Sequence, residues 1–522
     1  MRILSLFRAV LVLVIAVAFA AFGALGWPGL HWDASLFATP VLNVAQGDGW
    51  IFGGYPLRLT TYPDQEYAHH GILHVIVFGV LLRTSSWETF LLASGVVSAA
   101  SFLAWMWVSS RISHPATRWT WITSLGIGIT AGMIATGLQG RPEQLGPLLL
   151  SLPLLLRTLV PDPRVFRAAL FLQLGIMPLL SPASGLLYGM GLVYWLALQH
   201  EKSSLRAFLL QGIVANGTAL ATAWLVISLF CPFSLPEWLR STAGGIPGSL
   251  DFSHHLFDFR LSRLLGVSFY APGWNLLVLC SGLFFVFILF RRRCWIGLAF
   301  FLSVALYTYP KLTDYGYAAF FPLVLYYLYQ QAGRHTLRLG LPRPRIVVGL
   351  ALLAITGLYG LGFLRNAALC TLMVTKGIDL AESRAHLDEL GALDYGDHHA
   401  TAFQGPSRPS FIVFGDGGKN YIVAQHGKNL AWRFPHVVAY QETLEQTIDF
   451  YIHPQTRPGP PPADLLVGLE RLELVHSGWT DDRPQLLGVP LAKVMPGYQF
   501  ALYRRAETVP VSTRDAMFQP SD

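Results

Sequence analysis

Residues 9–25, AVLVLVIAVAFAAFGAL, decide the fold class, because this run is apolar and long enough to form a membrane-spanning helix. Arg2 and Arg8 precede it, an arrangement typical of a helix whose N-terminus stays in the cytoplasm. The triplet Ala18-Phe19-Ala20 resembles a cleavage site, so a signal peptide is the alternative. We expect a retained first helix, since the run is long for a signal peptide.

The composition extends this conclusion to most of the chain. Of the 522 residues, 53% are hydrophobic and 13% are charged, against roughly 25% charged in soluble proteins. Further apolar runs give about eleven crossings in total. They lie at 89–110, 119–138, 143–160, 166–181, 183–199, 205–231, 272–290, 294–309, 315–331 and 346–365. The predicted fold is mainly α: a polytopic bundle of about 11–13 transmembrane helices over residues 1–375, followed by a soluble α/β domain over 376–522.

Basic residues fix the predicted orientation. They concentrate in alternate short loops, at 111–118, 157–167, 202–206, 291–293 and 334–345. This is the positive-inside pattern, so the net charge of +7 indicates membrane topology and not nucleic-acid binding. We expect a multi-pass protein of a bacterial inner membrane, with a cytoplasmic N-terminus and a periplasmic C-terminal domain. This alternation of basic loops holds only if the short apolar stretch 71–82 does not add a further membrane crossing. We therefore interpret this stretch as re-entrant or interfacial.

The C-terminal part alternates between predicted helices and strands. Helical segments are expected around 380–390 and 443–451, and strands at 411–414, 465–467 and 500–503. This pattern favours a small α/β domain.

The four cysteines, Cys231, Cys280, Cys294 and Cys370, are scattered and have no paired spacing. This argues against a disulfide framework or a zinc cluster. A Cys231–Cys370 bridge is the one pairing that stays open.

The first outer loop, residues 28–70, holds the first candidate catalytic residue. Asp33, within His31-Trp32-Asp33, follows the first helix closely and precedes a short predicted helix over 34–45. Its carboxylate could act as a general base toward an acceptor, or ligate a metal. The structural alternative, favoured by the local sequence alone, is an N-cap of the helix that begins at Ala34.

The same loop ends in a polar patch. Asp64 and Glu66 precede His69 and His70 where the chain returns to apolar sequence. Such a patch could bind a divalent metal or pair with a cationic group of a substrate. A solvated interfacial turn is the alternative.

Arg141 and Glu143 form a second candidate site in the predicted outer loop Gly140-Arg141-Pro142-Glu143. Charges at the membrane edge are costly and often functional. Proline and glutamate are also common at a helix start. The sequence therefore supports a functional role and a helix-start role for these residues equally.

Cations on the predicted outer face are unexpected under the positive-inside rule. Guanidinium and ammonium groups there could bind a phosphate or pyrophosphate, although lipid-headgroup contacts or salt bridges would explain each one as well. These residues are Arg58, Arg240, Arg260, Arg263 and Lys311.

Several short motifs together resemble the GT-C superfamily of polyprenyl-phosphate-sugar glycosyltransferases, in particular bacterial relatives of the protein O-mannosyltransferases and the aminoarabinose transferase of lipid A. The motifs are Trp32-Asp33, the run 43–47, the run 62–71, Arg141-Pro142-Glu143 and the segment 309–315. The resemblance covers essentially the whole membrane part.

The resemblance implies an inverting transferase on the outer face of the membrane. Asp33, Glu66 and Glu143 would be its catalytic carboxylates, and a divalent metal, Mg²⁺ or Mn²⁺, could be held by Asp33 and Glu66. Residues that bind the substrate or its phosphate would be Arg58, Asp64, Arg141, Arg260, Arg263 and Lys311. The partners would be a polyprenyl-phosphate sugar, membrane lipids, and an envelope glycan, lipid or protein as acceptor. Many relatives carry an Asp-Glu pair where this chain has Asp33-Ala34, so either Asp33 suffices or Asp64 and Glu66 take the second role.

Other classes of function remain open. A transporter would favour charges in mid-helix and symmetric broken helices, and no internal repeat is apparent. A non-catalytic scaffold would retain its function without Asp33. A lipid-linked glycan ligase or polymerase would use the same fold with a different substrate.

Overall fold

The computed structural model describes two sets of residues. The first forms helices and their connections, at 2–24, 34–47, 49–50, 71–111, 117–199, 205–244, 314–333 and 344–375. The second forms strands, at 410–413, 448–454, 469–475, 485–486, 489–490 and 500–505. They fall into two compact units, one with the helices up to Cys370 and one with the strands, which we describe separately.

The helical unit follows the predicted apolar runs closely. Its α-helices are α1 (Arg2–Ala24), α2 (Ala34–Gln46), α3 (Trp87–Ser110), α4 (Thr117–Gly137), α5 (Gly146–Leu159), α6 (Pro163–Leu180), α7 (Pro182–Gln199), α8 (Leu205–Phe230), α9 (Leu235–Gly244), α10 (Asp314–Gly333) and α11 (Pro344–Thr375). The described residues of this unit also include two short elements, a π-helix at Val75–Leu81 and a 3₁₀-helix at Pro142–Leu145.

Four of the described helical segments are long and apolar enough to cross a membrane: Ser5–Ala24, Thr89–Ser110, Pro163–Leu180 and Leu209–Phe230. The protein is therefore a mainly helical, multi-pass membrane protein. The predicted total of about eleven crossings stays a prediction, since the runs 272–290 and 294–309 lie outside the described residues.

Small residues bring α1, α3 and α4 together. A Cβ atom on Gly23 would collide with the backbone of Gly95, so α1 and α3 touch there without side chains between them. Phe19 lies in the core, with its ring 5.5 Å from that of Phe102 in α3. A Cβ atom on Gly132 of α4 would meet the same ring. One face of α1 thus packs into the bundle. Whether this helix is retained or cleaved stays a prediction.

These contacts also give the relative directions of the helices. Gly23 meets Gly95 and Phe19 meets Phe102, so α1 and α3 are antiparallel. The Arg8 guanidinium lies over the Trp121 ring at 5.4 Å, and Phe19 packs on Gly132, so α1 and α4 run in the same direction. The C-terminal ends of α1 and α4 therefore lie at the same end of the bundle. Which side of the membrane this end faces stays a prediction.

A buried glutamine compensates for a proline in α5. Pro153 has no N–H, so the Leu149 carbonyl one turn earlier lacks its helical donor. Gln173 of α6 supplies one, since its side-chain amide nitrogen donates to that carbonyl at 2.6 Å. The Tyr188 hydroxyl in turn donates to Gln173 Oε1 at 3.1 Å. Lipid offers no donor to an exposed carbonyl, so this glutamine completes the backbone of α5.

Replacing Gln173 by leucine will lower the free energy of unfolding by about 1–3 kcal/mol, because the partly buried Leu149 carbonyl loses this donor. The matched variant Tyr188→Phe keeps that donor and will cost less, about 0.5–1.5 kcal/mol. Denaturant unfolding of the detergent-purified protein measures both values. A larger loss for Tyr188→Phe would contradict the role assigned to Gln173.

Helix α9 begins with a capping box. The backbone N–H and the hydroxyl of Ser234 both donate to Glu237 Oε2, at 2.6 and 2.7 Å, and Glu237 N–H donates back to the Ser234 hydroxyl at 3.4 Å. The backbone hydrogen bond from Ser234 is the main cause that lowers the pKa of the Glu237 carboxyl. The charged carboxylate therefore stabilises the start of α9.

A carboxyl whose pKa is lower in the folded state stabilises above its unfolded pKa, and this contribution is lost as the pH falls through the folded value. We expect amide protection of residues 235–244 to fall below about pH 4, near the ordinary range for glutamate. Hydrogen exchange corrected for intrinsic rates measures this protection. In Glu237→Gln the protection should not depend on pH over this range, and a dependence equal to that of the wild type would contradict the assignment.

The strand unit holds two sheets. The larger has the strand order β1 (Ser410–Val413), β2 (Ile448–Pro454), β6 (Phe500–Arg505), β3 (Leu469–Val475), with β1 parallel to β2 and the other neighbours antiparallel. Tyr451 of β2 lies opposite Tyr503 of β6. The smaller sheet pairs β4 (Gln485–Leu486) with β5 (Val489–Pro490).

The predicted helix over 443–451 is wrong in its last residues, since β2 begins at Ile448. The sequence there, Ile448-Asp449-Phe450-Tyr451-Ile452, is rich in β-branched and aromatic residues, which pack well on a pleated surface. The α/β character of this domain stays a prediction, since the expected helix over 380–390 and the strand at 465–467 lie outside the described residues.

Candidate functional site

A buried ion pair occupies the connection between α4 and α5. Arg141 Nε lies 3.2 Å from Glu143 Oε2, and each residue is only 8% exposed. The sequence predicted both side chains in an outer loop at the membrane edge, whereas the structure encloses them among helices. A charge is stable in such surroundings only with a partner, which explains why the two pair with each other.

The local backbone places this pair. Gly140 has a φ of +82°, a left-handed conformation that glycine adopts without strain. Pro142 then begins the 3₁₀-helix, as expected for a proline at a helix start, and every residue of that helix is buried. The side chain of Arg141 makes no capping hydrogen bond to this helix, so its guanidinium is directed to other groups.

Two glutamines hold the segment in the bundle. The side-chain amide of Gln139 donates to the Gly23 carbonyl at the end of α1, at 2.7 Å. That of Gln144 donates to the Ser94 carbonyl in α3, at 2.9 Å. Both glutamines are buried. The ion pair therefore lies at the end of the bundle where α1 leads toward Asp33.

Helix α2 contacts the same segment. It begins at Ala34, as predicted, and the Arg141 guanidinium lies 5.3 Å from the centre of the Phe37 ring. This distance is that of a cation–π contact, which desolvation strengthens. The turn of helix that directly follows Asp33 in the sequence thus touches Arg141.

A third segment meets α2 at the same residue. His74, next to the π-helix, lies with Nε2 2.9 Å from the Phe37 carbonyl, and its ring meets the Phe37 ring edge-on at 5.8 Å. A carbonyl oxygen only accepts, so Nε2 carries the hydrogen. The stretch 71–79 is therefore a largely buried segment packed on α2, whereas Leu81 and Leu82 are exposed. Helices of the π type occur often at functional sites. The position of the stretch 71–82 relative to the membrane surface stays open between re-entrant and interfacial.

The structure thus brings together three of the segments that hold or adjoin predicted site residues. These are the start of the helix after Asp33, the segment after Glu66 and His70, and the segment with Arg141 and Glu143. Asp33 and most of the other predicted site residues lie outside the described residues, namely Arg58, Asp64, Glu66, Arg260, Arg263 and Lys311.

Three residues of this arrangement are not among the predicted site residues: His74, Gln139 and Gln144. The signal for His74 was an ionisable residue within an apolar run, which is costly in a membrane protein unless it is used. The two glutamines flank the Arg141–Glu143 motif in the sequence.

The predicted divalent metal stays a prediction, since its two predicted ligands, Asp33 and Glu66, lie outside the described residues. The Glu143 carboxylate is paired with a guanidinium, and no group of three histidine, cysteine, aspartate or glutamate side chains suited to a metal occurs in the described part of the chain. Cys231 and Cys370 are free thiols, so the bridge between them that the sequence left open is not formed.

Comparisons with protein-family models, with curated proteins and with solved structures find no match to this chain.

Proposed function

We propose that this protein is an inverting glycosyltransferase that moves a sugar from a polyprenyl-phosphate donor to an envelope acceptor. One observation carries the proposal: the buried Arg141–Glu143 pair lies against the helical turn that follows Asp33. In this proposal Asp33 serves as the base and Arg141 as the buried cation. A lipid-linked sugar phosphate needs both groups, beside a hydrocarbon phase that holds its polyprenyl chain.

The proposed reaction is a single displacement. Asp33 accepts the proton of the acceptor hydroxyl or amine as the acceptor atom attacks the anomeric carbon. The bond between that carbon and the phosphate oxygen breaks, and its electron pair leaves with the polyprenyl phosphate. Arg141 stabilises the charge that develops on the phosphate, and Glu143 holds the guanidinium in place. Attack from the face opposite the phosphate inverts the anomeric configuration.

The acceptor is an envelope glycan, lipid or protein in this proposal, and the reaction takes place on the periplasmic face of a bacterial inner membrane. The periplasmic C-terminal domain would help to select the acceptor. A lipid-linked glycan ligase or polymerase would use the same chemistry on a longer donor.

Transfer from defined donors tests the proposal. Full-length protein in nanodiscs is incubated with a panel of short-chain polyprenyl-phosphate sugars and membrane extract as acceptor, with and without Mg²⁺ or Mn²⁺. Mass spectrometry should detect release of polyprenyl phosphate and gain of one sugar by an acceptor. The absence of transfer with every common donor under both metal conditions would refute it.

A buried ion pair also favours one alternative, a transporter, because paired charges inside membrane bundles occur on ion and substrate pathways. The same nanodisc preparation separates the two functions. A transporter breaks no bond in the donor, whereas the transferase releases free polyprenyl phosphate.

A further inference from the structure

Asp33 belongs to the connection between α1 and α2, and each of these helices is held near that connection by a buried side chain. Gln139 donates to the Gly23 carbonyl at the end of α1, at 2.7 Å. His74 donates to the Phe37 carbonyl near the start of α2, at 2.9 Å. Gln139 is 2% exposed and His74 is 1% exposed. The end of α1 and the start of α2, the described elements on either side of this connection, are therefore tied to the core that contains Arg141 and Glu143.

Gln139 supplies a hydrogen-bond donor to the C-terminal end of α1. The last carbonyls of a helix have no partner within the helix, and Gly23 is the second last residue of α1. Because the backbones of Gly23 and Gly95 are in direct contact, α1 cannot move closer to α3. The hydrogen bond from Gln139 then restrains its end toward α4.

His74 supplies a hydrogen-bond donor to the turn of α2 that precedes Pro40. Pro40 lies inside this helix and opens the turn before it, since proline lacks an N–H and its ring presses on the preceding turn. The Phe37 carbonyl lies in that turn. A side-chain donor from outside the helix strengthens the turn where proline weakens it, and it also holds the ring that lies under the Arg141 guanidinium.

We infer that His74 and Gln139 are positioning residues, which fix the two ends of the Asp33 connection relative to Arg141 and Glu143. Their catalytic importance rests on the proposed function; the anchoring itself does not. A base has to meet its proton within a fraction of an ångström, and a misplacement of about 1 Å can cost about 100-fold in rate. Neither residue needs to touch the substrate for this effect.

Amide hydrogen exchange on the full-length protein in nanodiscs tests the anchoring without any substrate. His74→Leu should raise exchange over residues 34–46, and Gln139→Leu should raise it over residues 14–24. His74→Gln should restore the wild-type exchange, because its amide nitrogen can reach the position of Nε2. Gln173→Leu is the matched control, since it also removes a buried glutamine that donates to a backbone carbonyl, and it should leave both windows unchanged.

Sugar transfer from a short-chain polyprenyl-phosphate donor tests the catalytic consequence. Each of the two leucine variants should lower kcat by about 10- to 100-fold with little change in KM, because geometry and not donor affinity is lost. His74→Gln should recover most of the rate, and Gln173→Leu should retain it.

The two measurements separate the possible failures. Wild-type exchange in both leucine variants would overturn the positioning roles, even if the protein transfers sugar. Raised exchange without an effect on kcat would also overturn them. Raised exchange in a protein that transfers no sugar would confine these residues to anchoring and refute the proposed function itself.

Discussion

A Glu143→Gln variant will be less stable than the wild-type protein by about 3–5 kcal/mol, because the change leaves the buried Arg141 guanidinium without its negatively charged partner. Glutamine has nearly the same shape as glutamate, so the loss reports charge and not packing. Thermal or denaturant unfolding in detergent measures it.

The double variant Arg141→Met, Glu143→Gln provides the control. It removes both charges, and it should recover most of the stability that the single change loses, since a buried pair often contributes little beyond an apolar replacement. Transfer activity should remain lost in the double variant, because the cation proposed to face the phosphate is absent. A double variant as unstable as Glu143→Gln would show that the charges do not act as a pair. Recovered activity would contradict the role of Arg141.

Replacing Asp33 by asparagine will lower kcat by about 10²- to 10⁴-fold, the range expected when a general base is removed. The choice of asparagine separates the two interpretations of Asp33. Asparagine caps a helix about as well as aspartate, so a residue that serves only as the N-cap of α2 would tolerate the change. A base would not, since an amide cannot accept the proton of the acceptor.

Asp162 offers a matched control in the described part of the chain. Its carboxylate caps α6 by accepting the Arg164 N–H at 2.8 Å, and it is exposed. Asp162→Asn should leave kcat and the melting temperature near their wild-type values. If Asp33→Asn behaves in the same way, Asp33 is a cap and the proposed mechanism fails.

The sequence predicted the features that depend on local chemistry. Helix α2 begins at Ala34 and Pro142 begins a short helix, both as expected from proline and capping preferences. Apolar length predicted most helices, because the bilayer sets the length of a spanning helix. The run at 448–454 was misassigned at its start, because short segments rich in aromatic residues suit either element.

Tertiary contacts could not be predicted in the same way. The sequence places Arg141 and Glu143 in a short polar loop, and it does not reveal that α1, α3 and α10 close around that loop. Gly23 and Gly95 allow this close approach, and Gly146 meets Ala319 of α10. The contact of His74 could not be predicted for the same reason, because its partner, the Phe37 carbonyl, is 37 residues away in the sequence. Partners so distant follow from the packing of the helices and not from any local pattern.

Photocrosslinking of a lipid donor tests the central claim most directly, namely that α2, the segment with His74 and the Arg141–Glu143 segment form one site for a polyprenyl-phosphate sugar. A short-chain donor with a photoreactive group on its sugar is irradiated with the full-length protein in nanodiscs, and labelled peptides are mapped by mass spectrometry. We expect label in residues 31–46 and 139–146, reduced by excess unlabelled donor and weakened in Arg141→Met. Label that excess donor does not reduce, or that lies only on the exposed surface of α8, would contradict the claim.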